Sequence, residues 1–201
     1  MRIVSAPFPA TGFDTVTPMT SKRASALKNK GMAFAVRYLG SITSAELQVI
    51  LDAGLLFLPV TFSRAVGWVP VPGMGTSDGN LDVSHLKSAG IPQGCTVFID
   101  LEGTAGNAQE VSAWVNERVG VLKNAGYDAG LYVGAECGLT GDQLYALNVN
   151  RYWRSLSAVT PPSCGWCLMQ AYKTITLAGT SIDVDYVQYD YKDRLPMMVS
   201  P

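Results

Sequence analysis

Two carboxylates stand two positions apart at the end of the clearest apolar run of the chain. The run over residues 95–101, CTVFIDL, includes Asp100, and Glu102 follows it directly. Because alternate side chains of a strand point to the same side, both carboxylates project the same way, with backbones about 6–7 Å apart. Such a pair suits cleavage of a glycosidic bond, in which one acid gives a proton and a second group supports the reacting sugar. A helix-capping or salt-bridged acid is the alternative for a single Asp-x-Glu motif.

Three further acids lie on segments that a closed barrel would bring beside this pair. Asp14 ends the first candidate strand, and Asp183 and Asp185 alternate on the last one. Crowded anions repel one another, so at least one carboxyl group should keep its proton near neutral pH, as a general acid requires. We take Glu102 as that acid. Ion pairs between Arg37 and either Asp14 or Asp185 are the structural alternative.

Aromatic and amide side chains are expected at equivalent strand ends. A sugar presents apolar C–H faces and hydroxyl edges, so a cleft that combines rings with a few amides suits a glycan. Each such residue alone is more often part of a core, and their joint placement is what favours a binding cleft. The residues are Tyr38, Phe62, Tyr132, Trp153, Gln170 and Tyr172.

Other kinds of catalytic centre find little support in the sequence. The single histidine, His85, lies in a helical pattern and is expected to be structural, which disfavours Ser-His-Asp and Cys-His enzymes. Cys164 and Cys167 form a lone Cys-x-x-Cys, without the two further ligands that a zinc site needs. We therefore expect free thiols, no metal and no cofactor.

Composition restricts the partners of the protein. The 201 residues carry 15 basic and 16 acidic side chains, a formal net charge of -1, so no nucleic-acid partner is expected. Apolar residues make up 48% and charged residues 15%, which is typical of a globular domain, expected here as a monomer. The start, MRIVSAPFPATGFD, lacks the apolar stretch of a signal peptide, and no apolar run reaches the roughly 20 residues of a membrane span.

Short β-rich runs alternate with helical patterns, which predicts repeated β/α units around a parallel sheet. We predict one α/β domain over residues 1–201, a small TIM-type (β/α)8 barrel with short or missing helices and catalytic groups at the carboxyl ends of its strands. An open doubly wound sheet is the alternative, but Gly73, Gly75 and Gly79 do not form a nucleotide-binding fingerprint and are interpreted as loop. The predicted strands cover residues 11–16, 32–39, 55–62, 95–101, 129–133, 151–154, 165–172 and 182–187, and helices start near residues 20, 43, 81, 107 and 141.

Seven segments spread over nearly the whole chain resemble the glycoside-hydrolase-like barrel domain related to family-25 lysozymes. The most specific is the lead AGIPQG into an apolar strand that ends Asp-x-Glu. The resemblance implies a TIM-type barrel and a peptidoglycan-directed muramidase or related glycosidase, deployed by phages in host lysis or by bacteria in wall remodelling. In chain order the segments are GFDTVTP, FAVRYLG, DVSHLKSAGIPQGCTVFIDLEG, AGLYVG, YWRS, LMQAY and IDVDYVQYD.

The resemblance also implies roles for the matched residues. Glu102 corresponds to the proton-donating acid, and Asp100 to a partner that orients a substrate acetamido group or stabilises the oxocarbenium-like state. Asp14 and Asp185 correspond to the acids of the first and last strands and complete the expected catalytic set. The residues expected to contact the substrate are Arg37, Tyr38, Phe62, Tyr132, Trp153, Gln170 and Asp183.

The second strand departs from the family-25 pattern. Family-25 enzymes carry a Lys-x-Thr-Glu-Gly type segment, where this chain has Val36-Arg37-Tyr38-Leu39-Gly40, as in the less characterised glycoside-hydrolase-like branch. Two hypotheses therefore stay open: a glycosidase that cuts peptidoglycan, and a barrel that binds a glycan without turning it over, since fold alone does not ensure chemistry. Without a signal peptide, a phage-encoded enzyme is expected in the host cytoplasm before its delivery to the cell wall or periplasm.

Overall fold

The computed structural model describes residues 1–157, 159–171 and 173–201. Within them it contains eleven strands and five helices. The strands are β1 (Arg2–Ser5), β2 (Thr11–Asp14), β3 (Phe34–Tyr38), β4 (Leu56–Val60), β5 (Thr96–Leu101), β6 (Asp128–Val133), β7 (Arg151–Arg154), β8 (Leu168–Gln170), β9 (Ile175–Leu177), β10 (Thr180–Val187) and β11 (Met197–Ser200). The helices are α1 (Ser21–Asn29), α2 (Ser44–Asp52), α3 (Met74–Ser88), α4 (Ala108–Asn124) and α5 (Gly141–Tyr145).

Eight strands close into a barrel, which confirms the predicted fold class. Around the barrel the order is β2, β3, β4, β5, β6, β7, β8 and β10, and β10 pairs again with β2. Within the described residues, β4 and β5 are paired at Val60 and Phe98 alone. Near the amino end of β4, strand β11 pairs Val199 with Phe57, and β1 pairs with β11. The β1–β11 ribbon therefore lies against the barrel at the end where the parallel strands begin.

One barrel strand, β10, runs opposite to its neighbours, which the prediction of a parallel sheet did not include. The ladders from β2 through β8 are parallel, whereas β10 is antiparallel to both β2 and β8. The chain reverses in a hairpin of β9 and β10 before it completes the barrel. In the described residues no helix follows β7 or β8, so helices are missing on that side, as predicted.

Most helices begin at a side-chain cap. Thr20, Thr43, Asn107 and Thr140 accept hydrogen bonds from backbone N–H groups in the first turns of α1, α2, α4 and α5. The exception is α3, which has no side-chain cap and begins at Met74, well before the predicted start near residue 81. The predicted start of α3 was therefore too late, because no capping side chain marks the true start.

Gly75 and Gly79 lie inside α3, so their interpretation as loop residues is wrong. A Cβ atom at Gly75 would lie 2.2 Å from the backbone oxygen of Trp114, and one at Gly79 would lie 2.8 Å from the Cβ atom of Val121. Both glycines therefore let α3 approach α4 closely. This packing offsets the low intrinsic helix propensity of glycine.

A buried ion pair also joins α3 to α4. Arg118 donates from Nε and Nη2 to Oδ2 and Oδ1 of Asp82, at 2.6 and 2.8 Å, and neither side chain is exposed. The same guanidinium lies 5.1 Å from the ring centroid of Trp114. Neither charge can be left alone in the core without a large cost, so the pair fixes how the two helices are set against each other.

The cysteines and the histidine have the surroundings of structural residues. The four cysteines carry free, buried thiols, as expected. His85 lies in α3 with its ring near Gly40, where a Cβ atom would stand 3.0 Å from the imidazole Cε1.

None of the helices in the described residues has the length and apolarity needed to cross a bilayer. Among those residues, no three His, Cys, Asp or Glu side chains are grouped so that they could hold a metal ion.

We expect Asp82→Ala to lower the free energy of unfolding by about 3–5 kcal/mol, because it leaves the Arg118 guanidinium buried without its counter-charge. The double variant Asp82→Leu with Arg118→Met removes both charges and should lie closer to the parent. Urea unfolding followed by circular dichroism measures all three proteins. An Asp82→Ala variant as stable as the double variant would contradict this account of the ion pair.

Candidate active site

Acids from separate strands meet at the mouth of the barrel, the end at which the parallel strands finish. Asp14 is the last residue of β2, Asp100 stands one residue before the end of β5, and Glu102 directly follows that strand. Burial first, and then the charges of all three acids, raise the pKa of both Tyr38 and Tyr132. The three carboxyl groups therefore surround the same pair of phenol groups.

Asp183 and Asp185 reach the mouth from the middle of β10. Across the antiparallel ladder, Asp183 stands opposite Asp14 and Asp185 stands opposite Gly12. The prediction that the acids stand at carboxyl ends of strands is wrong for these two, because β10 runs in reverse. Glycine is required at position 12, since a Cβ atom there would lie 2.5 Å from the ring of Phe34. The reversed strand thus completes the predicted convergence by a different route.

Gln170 links two of the acids through its side-chain amide. Its Nε2 donates to Oδ2 of Asp14 at 2.7 Å and to Oδ2 of Asp183 at 3.3 Å. Its Oε1 accepts from the hydroxyl of Tyr132 at 3.2 Å and from the backbone N–H of Leu156 at 2.9 Å. Because the amide oxygen has two donors, the amide nitrogen is held toward the carboxyl groups.

Asp14 and Asp185 are both buried, and each acts on the pKa of the other. Burial raises the pKa of Asp14 to about 7, although the hydrogen bond from Gln170 lowers it. Burial, and then the charge of Asp14, raises the pKa of Asp185 well above its usual range, while Trp153 Nε1, which donates to Oδ1 at 3.0 Å, lowers it. Two adjacent buried carboxylates cannot both ionise easily, so the pair holds at least one proton at neutral pH.

Asp100 is buried at the mouth with both oxygens unbonded. Its side chain is 4% exposed, and neither carboxyl oxygen has a hydrogen-bond partner within the described part of the chain. Burial, followed by the charge of Glu102, raises the pKa of Asp100 well above its usual range, whereas the charge of Arg118 lowers it. The neutral carboxyl group is therefore favoured, and it can both donate to and accept from a bound polar group.

Glu102 lies at the rim of the mouth, between two loops. It is partly exposed, and its Oε1 accepts a hydrogen bond from the hydroxyl of Ser63 at 2.8 Å. Its backbone carbonyl accepts from Trp68 Nε1 at 2.8 Å. A Cβ atom at Gly134 would stand 2.4 Å from the Cβ atom of Glu102. Sequence reasoning missed Ser63, Trp68 and Gly134, and the position of Gly134 just after a predicted strand was the one signal available.

Three buried acids favour their protonated forms. Crowding was expected to leave a proton on Glu102, and that assignment stays a prediction. In the structure, burial is the largest effect, and it raises the pKa of Asp14, Asp100 and Asp185. Desolvation of the charged form therefore outweighs mutual repulsion in deciding which acids stay neutral.

Arg37 does not reach the mouth. It is completely buried and points toward α2, where its Nε donates to Oε1 of Glu46 at 2.8 Å and its Nη1 donates to the carbonyl of Thr15. The prediction of a substrate contact is therefore wrong. The alternative pairing of Arg37 with Asp14 or Asp185 is wrong as well, because Glu46 takes the guanidinium.

Trp153 and Tyr132 lie below the mouth. Trp153 is 1% exposed, and its ring centroid stands 4.5 Å from that of Tyr132 in an edge-on contact. A ring this deeply buried cannot stack on a sugar, so the expected stacking contact of Trp153 is wrong. Its observed contact is the hydrogen bond to Asp185.

The remaining predicted rings divide between the mouth and the loop after β4. Tyr38 is partly exposed and borders the mouth cavity. Phe62 is half-buried and packs against the guanidinium groups of Arg118 and Arg64, 4.9 and 5.4 Å from its centroid. Its ring therefore contacts cations of the protein. Tyr172 lies outside the described residues.

One depression, of about 160 Å³, opens beside Asp14, Tyr38 and Asp183. Another of about 320 Å³ begins at Gly134, which touches Glu102, and none of the five acids lines it. A larger depression of about 400 Å³ lies apart from the acids, against the first turns of α4. The depression beside Asp14, Tyr38 and Asp183 is therefore the one that a ligand bound by the acids would enter.

The family comparison agrees with this geometry. The model of a family described as Rv2525c-like, glycoside hydrolase-like domain matches residues 25–191. An uncharacterized protein of Bacillus subtilis strain 168, YbfG, is 26% identical over 225 residues, which cover 96% of this chain and 30% of YbfG. The chain thus spans less than a third of the length of that curated relative.

Solved structures share the fold at low sequence identity. The Tat-secreted protein Rv2525c of Mycobacterium tuberculosis, solved with L-tartrate, superposes with a TM-score of 0.69 at 14% identity, covering 89% of this chain and 95% of that one. A bacterial lysozyme from Streptomyces coelicolor gives a TM-score of 0.63 at 20% identity, covering 89% and 92%. At these identities the likeness establishes the fold alone.

We expect Asp185→Asn to weaken the pH dependence of stability. Because folding raises the pKa of Asp14 and Asp185, the folded state binds more protons than the unfolded chain, and stability falls as the pH rises from about 4 to 7, by up to roughly 1.4 kcal/mol per pH unit for each group. The asparagine removes one of these groups and keeps an oxygen for Trp153. Denaturant unfolding at several pH values should show a shallower decline and a more stable protein at pH 7.

The matched control is Asp193→Asn, at an exposed aspartate in the segment between β10 and β11. Its profile should follow the parent. An Asp185→Asn profile as steep as that of the control would show that Asp185 is ionised in the folded protein at neutral pH.

Proposed function

The chain belongs to the Rv2525c-like, glycoside hydrolase-like domain family, and we propose on this premise that it is a muramidase-like glycosidase. The observation that carries the proposal is the placement of Asp100 and Glu102 at the end of β5, where the charges of Glu102 and of Asp14 from β2 both act on Asp100. The proposed target is the bond from N-acetylmuramic acid to N-acetylglucosamine in peptidoglycan. The lysozyme fold shared at low identity supports this choice.

In the proposed reaction, Glu102 gives its proton to the bridging oxygen while the bond between that oxygen and the anomeric carbon breaks. Asp100, whose neutral form is favoured by burial, hydrogen-bonds the acetamido group of the sugar and holds it near the reacting carbon. A water molecule then supplies the hydroxyl group to the anomeric carbon, and its remaining proton returns to Glu102. Atoms and charges balance without any cofactor.

The buried aspartates are suited to an uncharged ligand. A neutral carboxyl group offers one donor and one acceptor, which is the pattern that sugar hydroxyl and amide groups can match. Burial raises the pKa of Asp14, and both Asp14 and Asp183 line the mouth cavity together with Tyr38. We therefore assign Asp14, Asp183 and Tyr38 to binding and orienting the sugar, and we assign Asp185, Tyr132 and Gln170, which are buried behind them, to positioning these side chains.

Peptidoglycan lies outside the cytoplasmic membrane, so this proposal requires delivery to the cell wall or periplasm. Release during phage lysis and bacterial export are both consistent with it. Because all five acids come from one chain, a monomer is sufficient for the proposed reaction.

A glycan-binding barrel without turnover is the second candidate, and one observation favours it. The proposed proton donor, Glu102, lies at the partly exposed rim, where solvent reaches it. Proton transfer to a glycosidic oxygen needs a site from which the bound glycan excludes water. The mouth would then recognise the sugar and leave the glycosidic bond intact.

We expect Glu102→Gln to reduce the rate of peptidoglycan cleavage by about 10²–10⁴-fold, because glutamine keeps the shape but has no proton to give. Mass spectrometry of digests of purified sacculi measures the products and identifies the bond cut. Glu110→Gln, at an exposed glutamate in the first turn of α4, is the matched control and should cut like the parent, since glutamine keeps the capping hydrogen bond.

Each outcome separates the candidates. Sacculi that bind the parent protein without release of fragments support the binding barrel. A parent that cuts, together with an equally active Glu102→Gln variant, removes Glu102 from the mechanism. Fragment masses that correspond to amide cleavage exclude a glycosidase.

A further inference from the structure

Ser63 makes a side-chain contact with the proposed proton donor. Its hydroxyl donates to Oε1 of Glu102 at 2.8 Å, and Trp68 of the same loop donates from Nε1 to the backbone carbonyl of Glu102 at 2.8 Å. On the other side, Glu102 packs closely against Gly134, where an added Cβ atom would stand 2.4 Å from the Cβ atom of Glu102. The loop after β4 therefore contacts both the backbone and the carboxylate of Glu102.

The loop that carries Ser63 is anchored by its neighbours. The guanidinium of Arg64 lies 5.4 Å from the ring centroids of both Phe62 and Trp68. Nη2 of Arg64 stands 2.6 Å from each carboxylate oxygen of Asp78 in α3. A cation near the face of an aromatic ring is attracted to it, so the contacts of Arg64 with Phe62 and Trp68 help to hold the loop in place.

A second layer of the same cluster lies against the core. Arg118 stands 4.9 Å from the centroid of Phe62 and 5.1 Å from that of Trp114, and it is ion-paired with Asp82. Asp78 also accepts from Trp114 Nε1 at 2.8 Å. The loop is thus tied to α3 and α4 through buried groups, and Ser63 stands in position before any ligand arrives.

Resting on the function proposed above, we infer that Ser63 is a positioning residue that orients the carboxyl group of Glu102 for proton transfer. The hydroxyl fixes one oxygen of Glu102 and leaves the other free to face the glycosidic oxygen. The same hydrogen bond stabilises the carboxylate that remains after the proton has left. Ser63 keeps its own proton throughout.

A nucleophilic role for Ser63 does not fit its surroundings. A serine nucleophile needs an adjacent base, and the single histidine of the chain, His85, lies in α3 beside Gly40. The group in contact with the hydroxyl is the Glu102 carboxylate, which accepts its hydrogen bond.

The test compares Ser63→Ala, which removes the hydroxyl, with Ser63→Thr, which retains it. With soluble peptidoglycan fragments as substrate, Ser63→Ala should lower kcat by about 10-fold to 100-fold with little change in KM. The variant lacks the hydrogen bond that stabilises the Glu102 carboxylate formed during proton transfer, a step that follows substrate binding. Its pH–rate profile should lose activity at a higher pH than that of the parent, since the carboxylate form is no longer stabilised. Ser63→Thr should restore both properties toward the parent.

A readout without turnover separates this inference from the proposed function. The side-chain ¹³C resonance of Glu102, followed from pH 3 to pH 9, should titrate at higher pH in Ser63→Ala than in the parent or in Ser63→Thr. An inactive parent defeats the proposed function, and the resonance still reports on the hydrogen bond. An active parent with an unchanged profile and unchanged titration in Ser63→Ala overturns the inference, as does a Ser63→Thr variant that behaves like Ser63→Ala.

Discussion

The reversed strand β10 is the constraint on which the mouth of the barrel depends. A parallel strand at this place would need a crossover connection of a dozen or more residues, usually a helix, whereas the chain uses the short hairpin of β9 and β10. The reversal sets Asp183 opposite Asp14 and Asp185 opposite Gly12. The strand that closes the barrel therefore also places two carboxyl groups, those of Asp183 and Asp185, at the mouth.

Burying these acids has a cost that the surrounding side chains offset in part. Trp153 gives its indole N–H to Asp185, and Gln170 gives its amide to Asp14, so some of the carboxyl oxygens keep donors after they leave water. Both oxygens of Asp100 remain without a partner in the described residues. An unbonded buried polar group is costly, and a ligand that bonds it recovers that cost. The mouth is thus destabilised before binding in the way that functional sites often are.

The sequence was sufficient to predict the barrel, its convergent acids and most strand positions, because alternation of apolar runs and helix caps is a local signal. It was insufficient for β10, whose direction depends on pairing with β2 and β8 across the closed barrel. The start of α3 was missed because glycines usually indicate a loop. Gly75 and Gly79 are suited to this helix only through its close contact with α4, which the sequence does not show. Arg37 was misplaced for a related reason: its partner, Glu46, lies in α2, and the side of a strand that faces a helix cannot be told from residue type alone.

The contrast between buried aspartates and a rim glutamate bears directly on turnover. Asp14, Asp100 and Asp185 are desolvated by the protein itself, so their protonation is set before a ligand arrives. Glu102 is held by loops and still contacts solvent, so its surroundings change when a glycan covers the mouth. Exclusion of water favours the neutral form of a carboxyl group, which is the form that a proton donor needs. A ligand that reaches from the aspartates to the rim would cover Glu102, whereas a single sugar held by the aspartates would leave it exposed to water. Under the proposed function, coverage of Glu102 by the glycan is therefore a condition for proton transfer.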